Sequence, residues 1–565
     1  MCGIIGLFGE KASKDRLHKM LASQAHRGPD HTGIYFTENV AIGHNRLAII
    51  DLSPQANQPF VSSDNRYVLA FNGEIYNYLE LKKELADYHD FKTQSDTEVL
   101  LAAYVKWGVN CLKKLNGMFA FVIWDTIKQE LFAARDRFGV KPLYYSLNEQ
   151  TLYISSEIKA LFEGGINKTP NEKVWANYFA YGSYGLPHES FWQNVQQLVG
   201  GSYLQYRKGN ITIKKWYDFQ QEIKKWPANK SLEEAKAQYM QLLHESIQLR
   251  FRTDVPLGFN VSGGLDSSLL LSLVNSIDEG KNINAYTFYT NNAYYDELPW
   301  VAELLQLTAN PLIKVLFTAN DVIKTSEEIS NFQDEPFGGV PTLAYASIFK
   351  TASEQGIKVL LDGQGMDEQW AGYDYYTNTT NSVIQGVRKS PLRPNLLAKD
   401  FYKYATQPEY LKPFDNHLLD TQFRDLFYTK IPRALRFNDR ISMAYSTELR
   451  EPFLDYRLVE FAFSQPLEYK LSNGQQKYLP RLLAKDFLPN SIRYAPKRPL
   501  QTPQREWMGL ELKHWVIDNI KSIEKQSWFN EKEIENELDQ YFKGDQDSSF
   551  HLWQMVNAAL LIKRS

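Results

Sequence analysis

A cysteine lies directly behind the initiator methionine, and it is one of only two cysteines in 565 residues. Removal of Met1 would leave Cys2 with both a thiol and a free α-amine. The thiolate is the reactive form of cysteine, and an α-amine with a pKa of roughly 8 is partly neutral at cellular pH. Cys2 can therefore combine a nucleophile with a base. An isolated cysteine at this position is more often a small apolar residue of a terminal strand.

A second candidate site lies in VPLGFNVSGGLDSSLLLSLV, where two glycines separate an apolar strand from an amphipathic helix. Gly263 and Gly264 permit close backbone approach and positive φ, so the N–H groups of the turn and the helix start can hold an anion. Asp266 offers a carboxylate to Mg²⁺. No lysine follows the glycines, so this is not the GxxxxGK[ST] loop. The alternative is a tight turn with capping serines. If the turn does bind an anion, further hydrogen-bond donors would be the hydroxyl groups of Ser262, Ser267 and Ser268.

The overall composition predicts a globular cytoplasmic protein. A chain this long exceeds the size at which single cores stop growing, so two or more domains are expected. With 43% hydrophobic and 23% charged residues it is unlike a disordered chain, and a net charge of -3 favours neither nucleic acid nor an anionic membrane. No apolar run approaches the length of a membrane span, no secretory signal is evident, and two cysteines cannot form a disulfide framework.

The pattern up to about residue 200 is rich in strands. Residues 66–77 predict a strand that enters a turn, and residues 117–136 predict a hairpin. Helical periodicity is limited to residues 78–88 and 96–108. We therefore expect an α+β domain over residues 2–205.

The pattern changes in the second half of the chain. Ser231 and Glu234 have the spacing of a capping box at the start of a helix. Apolar strands and amphipathic helices alternate over residues 255–362, which predicts a parallel sheet with crossover helices. After about residue 370 the pattern is mostly helical. We expect a doubly wound α/β domain with a helical C-terminal region over residues 206–565.

Four motifs of the N-terminal half, HRGPD, HNRLAIID, FNGEIYN and SDTE, resemble those of the class II glutamine amidotransferases. The resemblance implies an N-terminal-nucleophile hydrolase-type sandwich with Cys2 as the nucleophile. The residues that it assigns to glutamine are Arg46 for the α-carboxylate, Asp96 for the α-amine and Glu74 in support, with the Asn72 side chain and the Gly73 backbone N–H as the oxyanion hole.

Three elements of the second half resemble the ATP-pyrophosphatase superfamily, which binds ATP and releases pyrophosphate as a substrate is adenylated. They are SGGLDSS, DGQGMDEQWAGY and GQQKYLPR. The resemblance implies that Asp266 and Asp367 hold Mg²⁺ and that Lys477 binds pyrophosphate as a point charge. Taken alone, Lys477 would be a solvated surface residue. In the second element, Gly363 would contact ATP and Glu368 would lie beside the acceptor substrate.

Over roughly residues 2–500 the chain resembles the glutamine-hydrolysing asparagine synthetase family, with the motifs in the same order. GMFAFVIWD, RDRFGVKPLYY, SSEIKAL and DRISMAYSTELREPFLD also match. The resemblance implies an AMP-forming amidation of aspartate that uses glutamine and Mg²⁺ with ATP, without an organic cofactor. It also implies an internal ammonia tunnel and allows a homodimer.

One departure from the family concerns the acceptor. The family usually reads SGEGSDE where this chain reads DGQGMDE. Gln364 can position ammonia but cannot act as a base near neutral pH. The acceptor therefore stays open between aspartate and another carboxylate, such as a uronic-acid sugar or a peptidoglycan precursor. Several aromatic rings follow this turn and can stack on a sugar, although we favour a role in packing. They are Trp370, Tyr373, Tyr375 and Tyr376.

Three other classes fit less well. A tRNA-modifying ATP-pyrophosphatase predicts a basic stripe or zinc-type cysteine pairs, and neither is present. A synthetase of the β-lactam-forming type predicts loss of the N-terminal cysteine, which this chain keeps. If the protein were a non-catalytic regulator, we would expect substitutions at the residues that catalysis needs. All five of these residues are intact, namely Cys2, Asn72, Asp96, Asp266 and Asp367.

Overall fold

The computed structural model of the protein describes residues 2–227, 231–277, 280, 282–377, 390–495, 501–544 and 548–562. Residues up to 215 supply a strand-rich region. Its strands are β1 (Gly3–Phe8), β2 (His31–Thr37), β3 (Val40–Arg46), β4 (Phe60–Val61), β5 (Tyr67–Ile75), β6 (Gly117–Asp125), β7 (Glu130–Arg135), β8 (Tyr144–Asn148), β9 (Thr151–Ser155), β10 (Gln196–Gln197), β11 (Ser202–Arg207) and β12 (Asn210–Lys215).

These strands form a sandwich of antiparallel sheets, ordered β10-β8-β9-β1-β3-β2 and β12-β11-β7-β6-β5-β4. Ile4 of the first sheet and Val68 and Val122 of the second share one buried cluster, so the core lies between the sheets. The predicted sandwich is confirmed, as are the strand β5 and the hairpin β6–β7. The expected domain division at residues 205 and 206 falls within β11.

Helices pack on both sheets of the sandwich. Helix α1 contacts β1 and β3, and α3 contacts β5. The two helices predicted in this half of the chain correspond to α2 and α3. The helices of the region are α1 (Lys14–Ser23), α2 (Tyr78–Leu85), α3 (Asp96–Trp107), α4 (Cys111–Lys114), α5 (Ile158–Glu163) and α6 (Glu172–Tyr181).

The second part is built on a parallel sheet, as predicted. Its strands, in spatial order, are β15 (Leu312–Leu316), β14 (Ala285–Tyr289), β13 (Leu257–Asn260), β16 (Val359–Leu361) and β17 (Glu448–Arg450). All neighbouring pairs are parallel. The predicted capping box of Ser231 is present at the start of α8. The helices before residue 370 are α7 (Phe219–Ile223), α8 (Leu232–Arg250), α9 (Leu265–Asn275), α10 (Leu298–Thr308), α11 (Ala319–Gln333), α12 (Val340–Glu354) and α13 (Met366–Gln369).

The C-terminal region is mostly helical, as predicted, but it also supplies β17 to the parallel sheet. A strand of three residues carries too little periodicity to be recognised without its partner β16. A short hairpin joins β18 (Leu471–Ser472) to β19 (Gln475–Gln476). The helices are α14 (Lys399–Tyr402), α15 (His417–Phe427), α16 (Lys430–Met443), α17 (Tyr456–Ser464), α18 (Tyr478–Leu483), α19 (Asn490–Arg493), α20 (Gln504–Gly509), α21 (Lys513–Lys521), α22 (Glu531–Phe542) and α23 (Phe550–Ile562).

The sandwich and the parallel-sheet region are packed against each other through apolar side chains. Phe119 and Phe121 of β6 share a buried cluster with Leu454 and Val459 of the second region. This cluster joins β6, which pairs with the strand carrying Asn72, to the segment that follows β17. Across the described residues, no helix is both long and apolar enough to span a membrane.

Candidate active sites

Cys2 immediately precedes β1 and is 7% exposed. Its backbone nitrogen donates a hydrogen bond to Asn72 Oδ1 at 2.9 Å, which joins the first sheet to β5 of the second. The Asn72 Nδ2 group is buried and has no hydrogen-bond partner within the described residues. An unsatisfied buried donor is costly, so this amide is available to an oxygen atom of a ligand. Burial raises the pKa of the Cys2 thiol, and the thiol therefore needs a base to react.

Gly73 follows Asn72 in β5 and lies against β6. Its φ is +152°, and a Cβ atom there would be 2.0 Å from the carbonyl oxygen of Met118. Only glycine fits this close approach of two backbones. The glycine therefore fixes the backbone beside Asn72, where the sequence predicts the oxyanion hole.

Arg46 is held by neutral oxygen atoms. Its Nη1 donates to the Ser53 carbonyl at 2.9 Å and to Asn57 Oδ1 at 2.8 Å. Its Nη2 donates to the carbonyl oxygen of Asp51. Arg46 forms no ion pair with any described residue, so its charge is available to an anionic group. The charge of Arg46 also partly opposes the rise that burial causes in the pKa of the Cys2 thiol, so Arg46 lies near Cys2.

Two carboxyl groups complete this site. Asp96 is the first residue of α3, and its Oδ2 accepts a hydrogen bond from the Ile75 nitrogen at 2.9 Å. Burial raises the pKa of Asp96 to about 6. Glu74 is also buried, and its Oε2 lies 3.6 Å from Arg450 Nη2. Burial and the nearby Glu448 carboxylate raise the pKa of Glu74. We call the predicted glutamine-site residues and Cys2 the cysteine pocket, in which Asn72 is hydrogen-bonded to Cys2 and the charges of Arg46 and Glu74 act on its thiol.

The SGGLDSS turn joins β13 to α9, as predicted. Ser267 Oγ lies 2.9 Å from Ser262 Oγ and donates to the Ser262 carbonyl oxygen at 2.7 Å, which closes the turn. The Ser268 hydroxyl is buried without a hydrogen-bond partner among the described residues. The turn does not use the positive φ that glycine permits, since neither Gly263 nor Gly264 has it. Instead, Gly263 is required for close packing, because a Cβ atom would lie 2.6 Å from Trp300 Cβ.

Lys477 brings two distant aspartates together. Its Nζ lies 2.6 Å from Asp266 Oδ1 and 2.5 Å from Asp367 Oδ1. Both carboxylates thus face one point at the carboxyl edge of the parallel sheet, where ligands bind in open α/β folds. Two carboxylates fit Mg²⁺, which needs few protein ligands when phosphates and water complete its shell. Gly372 makes room for the cluster, because a Cβ atom there would be 1.9 Å from Asp367 Oδ1.

The second turn lies against the first. A Cβ atom on Gly363 would be 3.1 Å from the Ser267 nitrogen, so the two turns meet at the start of α9. Gln364 is half-buried. Glu368 is fully buried, and its Oε1 accepts a hydrogen bond from the Tyr373 hydroxyl at 2.8 Å. Burial and the adjacent Asp367 raise the pKa of Glu368 to about 7.

The aromatic residues after this turn are mainly packing residues. Trp370 is fully buried, and Tyr375 and Tyr376 are 4% and 6% exposed. Both tyrosine hydroxyls donate to Asp425 Oδ2, at 2.6 and 2.9 Å. Their ring faces are covered by protein, which favours the packing interpretation over stacking on a sugar.

Two arginines join the cysteine pocket to the second region, and sequence reasoning gave neither a role. Arg27 Nε donates to the Cys2 carbonyl oxygen at 3.0 Å, and its Nη1 contacts Asp439 Oδ2 at 2.8 Å. Arg450 contacts Glu74 and, through its carbonyl oxygen, accepts a hydrogen bond from the Asp362 nitrogen at 3.0 Å. Both lie in motifs that the sequence displayed, HRGPD and DRISMAYSTELREPFLD. Their partners are far away in the chain, so only folding reveals the contacts.

The fold and these sites define a glutamine amidotransferase of the N-terminal-nucleophile type joined to an α/β synthetase region. Residues 1–217 match the family model described as "Glutamine amidotransferase domain", and residues 238–563 match the one described as "Asparagine synthase". The chain belongs to the asparagine synthase family and is an enzyme of the ligase type. This family uses glutamine, ATP and a carboxylate acceptor.

Curated relatives match over most of their length. "Asparagine synthetase [glutamine-hydrolyzing] 1" of Bacillus subtilis is 26% identical, with 98% of this chain and 95% of the relative covered. "Asparagine synthetase [glutamine-hydrolyzing] 3" of the same organism is 29% identical, with 88% of this chain and 86% of the relative covered. "Amidase chry2" of Gibberella zeae is 27% identical, with 88% of this chain and 86% of the relative covered. Relatives of similar distance thus carry different names.

Proposed function

We propose that the protein transfers the amide nitrogen of glutamine to a carboxylate that it first activates with ATP. With aspartate as acceptor, aspartate, glutamine, ATP and water give asparagine, glutamate, AMP and pyrophosphate. The observation that carries the proposal is the position of Arg450. Its side chain contacts Glu74 in the cysteine pocket, and its backbone is bonded to Asp362 at the second ATP-side turn. One residue thus contacts both predicted sites, which supports a coupled reaction.

The first half-reaction releases ammonia from glutamine. Arg46 and Asp96 bind the α-carboxylate and α-ammonium groups of the substrate, because opposite charges in a buried pocket pair strongly. After removal of Met1, the α-amine of Cys2 takes the thiol proton, and the sulfur attacks the amide carbon. The Asn72 Nδ2 group and the Gly73 N–H stabilise the oxyanion. Ammonia leaves with the proton, and water then hydrolyses the thioester to glutamate.

The second half-reaction activates the acceptor. A free carboxylate resists ammonia because it is anionic and would have to expel oxide. The acceptor carboxylate attacks the α-phosphorus of ATP held by the SGGLDSS turn, and pyrophosphate leaves against Lys477. Mg²⁺, when held by Asp266 and Asp367, supplies charge neutralisation of the phosphates. Ammonia then attacks the acyl-adenylate, the amide forms, and AMP leaves.

The acceptor can also be a carboxylate other than aspartate. The observation that favours this second candidate is Gln364, a neutral side chain where the resembling family carries an acidic one. A relative whose name is an amidase supports it. The burial of Trp370, Tyr375 and Tyr376 weakens the case for a stacked sugar ring. Aspartate therefore stays the first acceptor to be tested.

The deciding experiment follows AMP release from glutamine and Mg²⁺-ATP with aspartate as the sole acceptor. Stoichiometric AMP, pyrophosphate and asparagine would support the aspartate reaction. Glutamate formation without aspartate-dependent AMP would direct the search to a panel of other carboxylates. If no carboxylate in that panel released AMP, the synthetase assignment would be refuted. Size-exclusion chromatography of the same sample tests whether the protein forms the homodimer that the resemblance allows.

A further inference from the structure

Glu451 occupies an unusual position at the carboxyl edge of the parallel sheet. Strands β16 and β17 pair in parallel, with Leu361 opposite Arg450. The same register places Glu451 beside Asp362, since neighbouring strands are about 5 Å apart. Asp362 begins the turn that carries Gln364. Glu451 therefore lies next to the turn in which the sequence lacks a base.

The Glu451 carboxylate is buried without a partner. The residue is 5% exposed, and its side chain makes no hydrogen bond or ion pair with any residue that the structure describes. Buried carboxylates are normally paired or bound by several donors, because an isolated buried charge is costly. Glu460 illustrates the normal case, since it is 3% exposed and accepts hydrogen bonds from Tyr217 and Trp226 at 2.8 and 3.1 Å.

A small cavity adjoins Glu451. Its volume is about 20 Å³, which is enough for one molecule of the size of water or ammonia. Gly117 and Met118 of the sandwich line the cavity together with Glu451 of the synthetase region. In the ladder of β5 and β6, Met118 pairs with Glu74, the neighbour of Gly73. The cavity thus lies between β6 of the sandwich, which pairs with the strand of the predicted oxyanion hole, and the residue that follows β17.

The charged groups around Glu451 come from both regions. Burial is the main cause that raises the pKa of Glu451, to about 8, and Asp362 and Asp439 act in the same direction. Lys141 and Arg250 oppose the shift. Two other charged residues line the cavity and are already engaged. Asp136 accepts hydrogen bonds from the backbone nitrogens of residues 119, 138, 140 and 141, and Arg137 donates to the Leu115 carbonyl oxygen.

We propose that Glu451 accepts the proton that the nitrogen loses when ammonia attacks the acyl-adenylate. The inference rests on the proposed function. The C–N bond of the amide forms, the C–O bond to AMP breaks, and one N–H bond breaks as its proton passes to a carboxylate oxygen of Glu451, where an O–H bond forms. No electrons are transferred. After amide formation the carboxylic acid returns its proton to water. Glu451 thereby supplies the base that Gln364 cannot be.

The first test compares Glu451→Gln with the matched control Glu460→Gln. Each change removes one buried carboxylate and keeps the shape of the side chain. With glutamine as donor and the acceptor found active above, the ratio of amide to glutamate is measured. We expect Glu451→Gln to lower this ratio by about 100-fold, the usual size of a lost proton transfer, with glutamate formation retained. Glu460→Gln should leave the ratio unchanged, and Glu451→Asp should restore much of it.

The second test uses ammonium chloride as the donor and varies pH while the concentration of free ammonia is held constant. In the wild type, amide formation should rise with pH as Glu451 ionises. In Glu451→Gln this rise should be absent, because an amide cannot accept the proton.

Three outcomes would overturn the inference. The first is an unchanged ratio and pH profile in Glu451→Gln. The second is a ratio that falls equally in Glu460→Gln. The third is an equal loss of glutamate formation with a lowered unfolding midpoint in both Glu451 variants, which would indicate a structural role. If the wild type instead formed no amide with any acceptor, the proposed function itself would fail, and this inference with it.

Discussion

Arg27 and Asp439 are separated by 412 residues and form a bidentate ion pair, with N–O distances of 2.8 and 3.2 Å. Arg27 is fully buried, and its Nε donates to the Cys2 carbonyl oxygen. Glu157 of the sandwich lies 2.9 Å from the same guanidinium group, so the charge beside the predicted nucleophile is balanced by both regions. The stability of the cysteine site and the packing of the two regions depend on each other.

The change Asp439→Asn tests this dependence. It leaves part of the charge on Arg27 unbalanced in a buried position, and we expect a loss of about 3 kcal/mol of stability. The midpoint of thermal unfolding measures the effect. Asp15→Asn serves as control, because Asp15 pairs with Lys19 in an exposed position, where such a pair adds little to stability. Equal midpoints for the two variants would contradict the prediction.

Cys2→Ala should abolish the use of glutamine and retain activity with added ammonium, because ammonium bypasses the thioester. Glutamate and AMP are measured in the same assay. Cys111→Ala is the matched control, since Cys111 is fully buried in an apolar cluster and has no predicted role in catalysis. Loss of both activities in Cys2→Ala would contradict the division of labour between the two regions.

Asn72→Ala should reduce glutamate formation by about 100- to 1,000-fold, the usual effect of removing one oxyanion-hole donor. The loss should appear in kcat rather than in KM, because the Nδ2 group acts on the transition state. Activity with ammonium should persist. Asn210→Ala, at an exposed position where Nδ2 donates to the Lys208 carbonyl oxygen, is the control. Wild-type glutaminase kinetics in Asn72→Ala would refute the assignment.

Gly372→Ala should abolish AMP formation. The added Cβ atom would lie 1.9 Å from Asp367 Oδ1 and 2.2 Å from Lys477 Cε, so the aspartate–lysine cluster cannot keep its geometry. Pyrophosphate release measures the loss. Glutamate formation in the same preparation is the internal control, because the cysteine pocket lies in the other region. Normal pyrophosphate release from the variant would show that the cluster is not needed.

The pH dependence of glutamine use should report Asp96. Burial raises the pKa of this carboxyl to about 6, and only its ionised form pairs with the α-ammonium of glutamine. We expect kcat/KM for glutamine to fall below pH 6 by about tenfold per unit. The residual activity of Asp96→Asn should not show this fall in kcat/KM below pH 6. Asp90→Asn, at a side chain that is 84% exposed, should keep it.

The sequence by itself determined the two regions and the identity of most candidate residues. Motif and element coincide at Asn72 in β5 and at Asp266 at the start of α9, because short local signals fix both the turn and the chemistry. Even the need for glycine at residue 263 was visible. Its reason was not, because contact with Trp300 is made across the fold.

Only the tertiary structure decided how the residues are combined. Lys477 meets Asp266 and Asp367 from three separate parts of the chain, and Arg450 reaches Glu74 across the contact between the regions. Burial is likewise a property of the whole fold, because it depends on everything packed around a side chain. Burial raises the pKa of the carboxyl groups of Asp96 and Glu451 above the ordinary value.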